Sequence, residues 1–481
     1  MILAAVMLLV ALGALTSVGV LFRSSAEQFT VSATGRMGRS RAMARSGLAS
    51  VLREFEIQRM DILRGGQPVL LDELSLEQPD GRTGVARIVR VRNRVAVPEG
   101  AKINVNHTDE GTLGRLESVG PDLARRLVAG RPYAAIDDLL RVEGVAPEML
   151  YGDLRTALAD DPESEAWLIG DAEGGVALRD LLTVHGFWPV IQLGAGDNGS
   201  RYAGERKINI NREWSDELGD AIRKRYSDDV ANGVKAIMEQ GVVFRSERDI
   251  INILNRIGVE PKDWAETLDS FCTSDEPALA GRVDVSRAPA EVLVALPGMF
   301  PEFAASIVSA RETVDSDDLT TVGWTVTSGA IDWRALATCI DSVAPSSAQW
   351  RVVIEAGFLP PGAEESDEDV ALENRVVLEA VIDLSAPRAR VAELTDITNL
   401  PLTIAWRLEG AADREAAEER GGEEPEFESD EPGPDTFERE AETERREDEP
   451  MDEADRESRN AAPASKPDRR IGRFRAGGGA G

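Results

Sequence analysis

His107 and His185 are the only histidines among 481 residues, and Cys272 and Cys339 are the only cysteines. Histidine chemistry needs partners: a nucleophile and an orienting acid for proton transfer, or further nitrogen and sulfur ligands for zinc. Neither histidine has a nearby cysteine or paired acid, so both are expected to pack or to face solvent. Two cysteines exclude a disulfide framework. Buried free thiols are the expectation, with a Cys272–Cys339 bridge left open outside a reducing compartment. Gly194-Ala195-Gly196-Asp197-Asn198-Gly199 has the glycine spacing of a dinucleotide site and follows the strand-like Val190-Ile191-Gln192-Leu193. Such a site must open a helix whose N-terminus receives the pyrophosphate. Ser200-Arg201-Tyr202-Ala203-Gly204 carries no apolar helical period, which predicts a loop. Asp160, Asp161, Glu163, Glu165, Asp171 and Glu173 gather oxygens of the kind hard Ca²⁺ prefers, although their spacing does not match D-x-[DN]-x-[DN]-G. A solvated acidic loop and a calcium loop both stay open there. No catalytic constellation can be assembled, so neither an enzyme, a cofactor other than calcium, nor a small-molecule substrate is expected.

Asp and Glu number 86 against 54 Lys and Arg, and the formal charge of −32 repels polyphosphate and anionic lipid. A general nucleic-acid coat is therefore not expected. One feature is locally basic: Arg115, Arg125, Arg126 and Arg131 surround the bend Ser118-Val119-Gly120-Pro121. The elements that position this bend recur along the chain. Lys102-Ile103-Asn104-Val105-Asn106 returns as Lys207-Ile208-Asn209-Ile210-Asn211 and, altered, as Arg282-Val283-Asp284-Val285-Ser286. Each is a short alternating stretch that ends in a residue able to cap a helix and precedes an apolar helical pattern. In the first copy Leu113 and Leu116 precede the bend, and Leu123, Ala124 and Leu127 follow it. In the third, Val292, Leu293 and Leu296 lead to Pro297-Gly298-Met299-Phe300-Pro301, then Phe303, Ala304 and Ile307. The second keeps its helices at Leu218, Ile222, Val230, Val234 and Ile237 but has no glycine at the bend. Two short helices joined by a Gly/Pro hairpin explain the first and third copies.

The flanks differ from this middle. Ile2 to Phe22 is free of charge, and 21 helical residues reach about 31 Å, the thickness of a bilayer's hydrocarbon layer. Ile2, Leu8, Leu9, Leu12, Leu15, Leu21 and Phe22 are its candidate membrane and assembly contacts. Apolar spacing continues through Met43, Leu48, Val51, Leu52, Phe55 and Ile57, which predicts one helix to about residue 60, interrupted at Gly35, Gly38 and Gly47 and flexible near residue 35. Ile88, Val89, Val91, Val95 and Val97, with intervening Arg, read as an edge-like strand. Trp350 to Phe358 and Val376 to Leu384 read as two more. Residues 411–460 hold 22 acids and 7 bases with few large apolar side chains, which predicts a disordered acidic tail. The expected fold class is α+β. It comprises a transmembrane and pilin-like helix (1–60), first strands of a small antiparallel sheet (61–100), a helical insert (101–345), C-terminal strands (346–408) and the tail (409–481). The insert holds three repeats (102–158, 207–258 and 282–340) and is expected to hang outside the sheet.

The first hairpin resembles the helix-hairpin-helix modules of DNA-uptake and repair proteins. In these, glycines let backbone N–H groups and a helix N-terminus approach a phosphate. The resemblance is degenerate: Ser118 replaces the first glycine in copy one, Phe300 the second in copy three, and copy two has neither. The whole order of elements resembles the minor pseudopilin K family of type II secretion (general secretion pathway protein K) over about residues 1–400. Its most specific segments are Asp138-Leu139-Leu140-Arg141-Val142-Glu143-Gly144, continuing to Gly152; Asp180-Leu181-Leu182-Thr183-Val184-His185-Gly186; and Val283 to Pro301. That resemblance implies a non-enzymatic inner-membrane subunit, single-pass, with its soluble part in the periplasm. Its partners would be the major and other minor pseudopilins at the tip of a short fibre, and its calcium loops would fall near Asp160 to Glu173. Family members typically lack the pilin Glu near the start of the helix, and no acid precedes Glu27 here. Arg23, Arg36, Arg39, Arg41 and Arg45 all follow the span, and the positive-inside rule taken literally would keep the rest cytoplasmic. A leader missing from this sequence would account for the conflict. The alternative expectation is a membrane-tethered DNA receptor of the competence type, using Arg115, Arg125, Arg126 and Arg131.

Overall fold

Apolar residues alternate with polar ones along two stretches near the C-terminus. Trp350, Val352, Ile354, Ala356 and Phe358 point one way, as do Val376, Leu378, Ala380, Ile382 and Leu384. A period of two gives a sheet two unlike faces. In the computed structural model these stretches are strands of one antiparallel sheet. The described residues are 2–400 apart from 72, 79–80, 92–93, 153–175, 197–198, 316–317 and 364–369. The strands are β1 (Glu73–Glu77), β2 (Thr83–Ile88), β3 (Val97–Pro98), β4 (Gln349–Phe358), β5 (Glu373–Asp383) and β6 (Arg390–Asp396). Their order is β1-β2-β4-β5-β6, with β3 on β4 beyond the end of β2.

A single helix, α1 (Ile2–Ile57), covers the apolar face with its C-terminal part. Met43, Ala44, Leu48, Val51 and Phe55 are buried there, and the Phe55 and Trp350 rings lie 6.4 Å apart. Gly47 allows the close approach: a Cβ at that position would lie 3.1 Å from Ala86 Cβ and 3.3 Å from Ile354 Cγ2. The expected interruptions at Gly35, Gly38 and Gly47 do not occur: the helix runs through all three, and at Gly47 packing on the sheet outweighs a glycine penalty of about 1 kcal/mol. Among the described residues no helix is long and apolar enough to cross a membrane. The side chains of Ile2, Leu8, Leu9 and Leu12 lie outside the described residues. Leu15, Leu21 and Phe22 are 78%, 66% and 74% exposed.

The edge-like strand expected over Ile88 to Val97 is divided. β2 ends at Ile88, Val91 and Arg94 form an isolated bridge, and β3 is a separate pair of residues. β2 is interior, between β1 and β4. Its one arginine, Arg87, meets the fully buried Glu355 at 3.1 Å. The edges are β1 and β6, strands that the sequence pattern did not mark.

The three repeats of the insert are each closed by a parallel strand pair. Ile103–Asn104 pairs with Leu182–Thr183, Ile208–Asn209 with Phe271–Cys272, and Val283–Asp284 with Val343–Ala344. Each repeat is therefore longer than its helices suggest. In every copy the first strand ends in an Asx turn: Asn104, Asn209 and Asp284 accept the N–H two residues on at 2.9 Å. The first two copies share a further bond, in which Asn106 and Asn211 pin Tyr133 and Phe244 through both backbone groups. The insert does not hang outside. It lies on the charged face of the sheet, opposite α1, where Glu99 and Arg179 cover Arg351 of β4 and Glu379 of β5.

Candidate functional site

The hairpins stand where the sequence placed them. Helix Glu110–Gly114 turns into helix Gly120–Ala129 through Val119-Gly120-Pro121, and helix Ala290–Ala295 into Pro301–Ala310 through Pro297-Gly298-Met299. Gly120 and Gly298 adopt φ of +65° and +71°, the left-handed region that glycine enters without a Cβ clash. Their surroundings differ. A Cβ on Gly120 would meet nothing within 4 Å, whereas one on Gly298 would lie 2.6 Å from Thr338 Cγ2. Gly120→Ala is expected to cost about 1–2 kcal/mol from backbone strain alone. Gly298→Ala should cost more, because helix Trp333–Cys339 must also move; urea midpoints of the two variants test the order.

The bend of the first hairpin offers little to a phosphate. Val119 and Gly120 both donate their N–H to the Leu116 carbonyl, and Pro121 has no N–H. Arg115 Nε donates to the Ala295 carbonyl at 2.7 Å, and Ser118 Oγ to Glu291 at 3.3 Å, so the first and third hairpins dock on one another. Arg131 donates to the Thr108 carbonyl, Arg125 lies 3.4 Å from Asp122 and 3.7 Å from Glu110, and Arg126 packs over Gly144. In a mobility-shift assay at low salt the full chain in detergent is expected to retard no duplex DNA; retardation that depends on Arg125 and Arg126 would reverse this.

The glycine pattern runs irregularly over its described residues Gly194–Gly196, as expected, and the amides that open it are already bonded to a carboxyl group. The Asp269 carboxylate, 1% exposed, accepts N–H bonds from Leu193 (2.6 Å), Gly194 (2.8 Å) and Ala195 (3.0 Å). Gly199–Tyr202 is a single 3₁₀ turn. The nest that a dinucleotide phosphate would need is thus occupied by a side chain from the second repeat.

Charged residues that the sequence reading missed form the most constrained cluster. Arg351 on β4 bridges Glu99 at 2.8 Å and Glu379 on β5; Lys102 reaches Glu99 at 2.6 Å and Arg179 reaches Glu379 at 2.7 Å. Thr183 donates its hydroxyl to Glu99. All five charged side chains are under one-tenth exposed. Burial by itself would raise the Glu99 carboxyl, yet Arg351 and Lys102 hold it well below the usual carboxylate range. Burial also opposes ionisation of Glu379, and Arg351 and Arg179 overcome it. Glu99, Lys102, Arg179 and Thr183 belong to the insert and its entry, so the cluster joins insert to sheet. The only sequence signal was a pair of opposite charges inside two apolar strands.

His185 belongs to the same junction: its Nε2 lies 2.6 Å from Glu393 on β6. His107 stands edge-on to Phe187 with ring centroids 5.9 Å apart. Cys272 and Cys339 are both free and buried, and burial pushes the Cys339 thiol up to about 12. Among the described residues no His, Cys, Asp and Glu group could hold a metal ion. The calcium candidates Asp160, Asp161, Glu163, Asp171 and Glu173 lie outside the described residues, as does the acidic tail. The geometry defines a mixed α and β scaffold in which a long helix and a three-repeat insert clasp an antiparallel sheet from opposite faces. No protein family, curated protein or solved structure was found to match the chain.

Proposed function

We propose that this chain is a minor pseudopilin of a type II protein secretion system, of the K kind, which primes or caps the tip of the pseudopilus. The observation that carries this reading is the long helix. Its C-terminal part is fixed on the sheet, while Leu15, Val18, Val20, Leu21 and Phe22 stand exposed further along the same helix. A folded body would not leave such a row in water. Lipid stores it before assembly, and the helices of neighbouring subunits cover it afterwards. Head-to-tail contacts that do not close on themselves build a fibre, and a bulky insert on one subunit favours an end position. In this reading the residues from Ile2 to Phe22 span the inner membrane, the rest faces the periplasm, and the partners are the major and other minor pseudopilins. The repeats are scaffold, and no reaction is assigned to them. Immunogold labelling of purified fibres tests the assignment. Label confined to fibre ends is expected, and label spaced along their length would overturn it.

A further inference from the structure

The overall negative charge hides one cationic cleft, at the seam between the sheet and the third repeat. Arg90, Arg94, Arg287 and Arg311 line a cleft of about 470 Å³, together with Gln67 and Ser286, and among the described residues no acid lines it. A second lobe of about 240 Å³ shares Arg94, Pro98, Arg287 and Arg311 and extends past Val91 and Lys102 to Asp180. Arg287 is fixed: its guanidinium contacts Asp284 at 3.1 Å, donates to the Gly65 and Gly66 carbonyls and lies 5.2 Å from the Trp350 ring centroid. Its Nε, in a side chain only 7% exposed, has no hydrogen-bond partner among the described residues. Burial lowers the Arg311 pKa, Asp284 offsets part of that, and Arg94 and Arg287 add repulsion. Cations gathered against their own repulsion are stabilised by an anion.

The volume and the spread of Arg94, Arg287 and Arg311 over two lobes suit several carboxylates on one strand better than a single small ion. The last described residue of the chain lies beside the second lobe. Leu400 packs in the same apolar cluster as Val91, and Val91 lines the second lobe. Beyond it, residues 409–423 hold Glu409, Asp413, Glu415, Glu418, Glu419 and Glu423 against Arg414 and Arg420. Nine residues join Leu400 to Glu409, a tether that reaches at most about 30 Å at full extension, so the effective concentration of the segment at the cleft is of about millimolar order. We infer that the cleft of Arg90, Arg94, Arg287 and Arg311 is a carboxylate-binding site whose occupant is the acidic stretch Glu409–Glu423 of the same chain.

A spin label at Ala416→Cys in the full chain, in detergent, reads this directly, since Cys272 and Cys339 are 2% and 1% exposed and resist labelling. At low salt an immobilised component is expected, falling several-fold in about 1 M salt, where the screening length is about 3 Å. Arg94 is exposed, so Arg94→Glu should fold and lose most of that component. Arg94→Gln, a milder change, should lose part of it, and circular dichroism checks both folds. Identical spectra for the parent and Arg94→Glu chains would overturn the proposal. So would release of the label by inorganic phosphate but not by chloride at equal ionic strength, which would make the cleft a phosphate site. Loss of the immobilised component on dilution with excess unlabelled chain would assign the occupant to a neighbouring copy and overturn the intramolecular docking.

Discussion

Arg351→Met should lower the unfolding free energy by about 3–5 kcal/mol, the cost of removing one partner from a buried ion cluster. The substitution fills most of the volume but strands the Glu99 and Glu379 carboxylates, which are 0% and 6% exposed. Lys102 and Arg179 each keep one of them, which places the expected loss nearer the lower figure. Arg390→Gln is the contrasting case. Its partner Asp383 is buried, but the arginine side chain is 65% exposed, so about 0–1 kcal/mol is expected. Urea unfolding of the two variants at neutral pH measures the difference.

The pH dependence carries the same mechanism with a definite sign. Glu99 and Glu379 have folded pKa values below the ordinary 4.5, so their contribution is complete above pH 4.5 and is lost as pH falls through the depressed values. The parent chain should therefore lose stability on the acid side of pH 4.5. Without Arg351 burial dominates and the carboxyls take up protons at higher pH. The gap between parent and Arg351→Met should shrink as pH falls below about 4. A gap that stays constant from pH 7 to 3 would show that the loss comes from packing and not from charge.

Leu12→Arg should release the protein from the membrane fraction if the first part of α1 is a span. Leu at the centre of a spanning helix contributes about −0.3 to −0.6 kcal/mol and Arg costs about 2.5–3.5 kcal/mol, so partition should shift by about two to three orders of magnitude. Phe22→Arg, at the end of the apolar stretch, lets the side chain reach the interface and should change partition little. The two variants have the same charge and differ only in depth. Carbonate-resistant membrane content of each would separate insertion from a general effect of added positive charge. Equal retention of the parent and Leu12→Arg would remove the membrane span, and with it the storage step of the proposed assembly.

Local periodicity carried much of the architecture. The alternation in Trp350 to Phe358 and Val376 to Leu384 was enough to place β4 and β5, because a half-buried strand must repeat every two residues whatever packs on it. The helical spacing from Met43 to Phe55 marked the buried face of α1, and the recurring Lys-Ile-Asn-Val-Asn unit marked the start of each repeat. The hairpin bends at Gly120 and Gly298 were legible for the same reason, since a turn that needs positive φ selects glycine. Strand pairs of two residues have no period to detect. The closures by Leu182–Thr183, Phe271–Cys272 and Val343–Ala344 therefore could not be seen, and the repeats were read short.

The candidate site shows where pattern reading stops. Arg351 and Glu379 alternate with apolar residues as a solvent-facing row would, and a strand does not encode what covers its second face. Folding brings Glu99, Lys102 and Arg179 onto that face from up to about two hundred and fifty residues away, which converts a hydrated row into a dry ion cluster. Asp269 reaches the Gly194 loop across 75 residues in the same manner. The amino-acid sequence alone determined the buried face of α1, the strands β4 and β5 and the start of each repeat, because those choices depend on neighbours a few residues apart. The tertiary structure decided which charges are buried, which amides are already occupied and where an anion could still enter, because desolvation and pairing depend on contacts that only the folded chain creates.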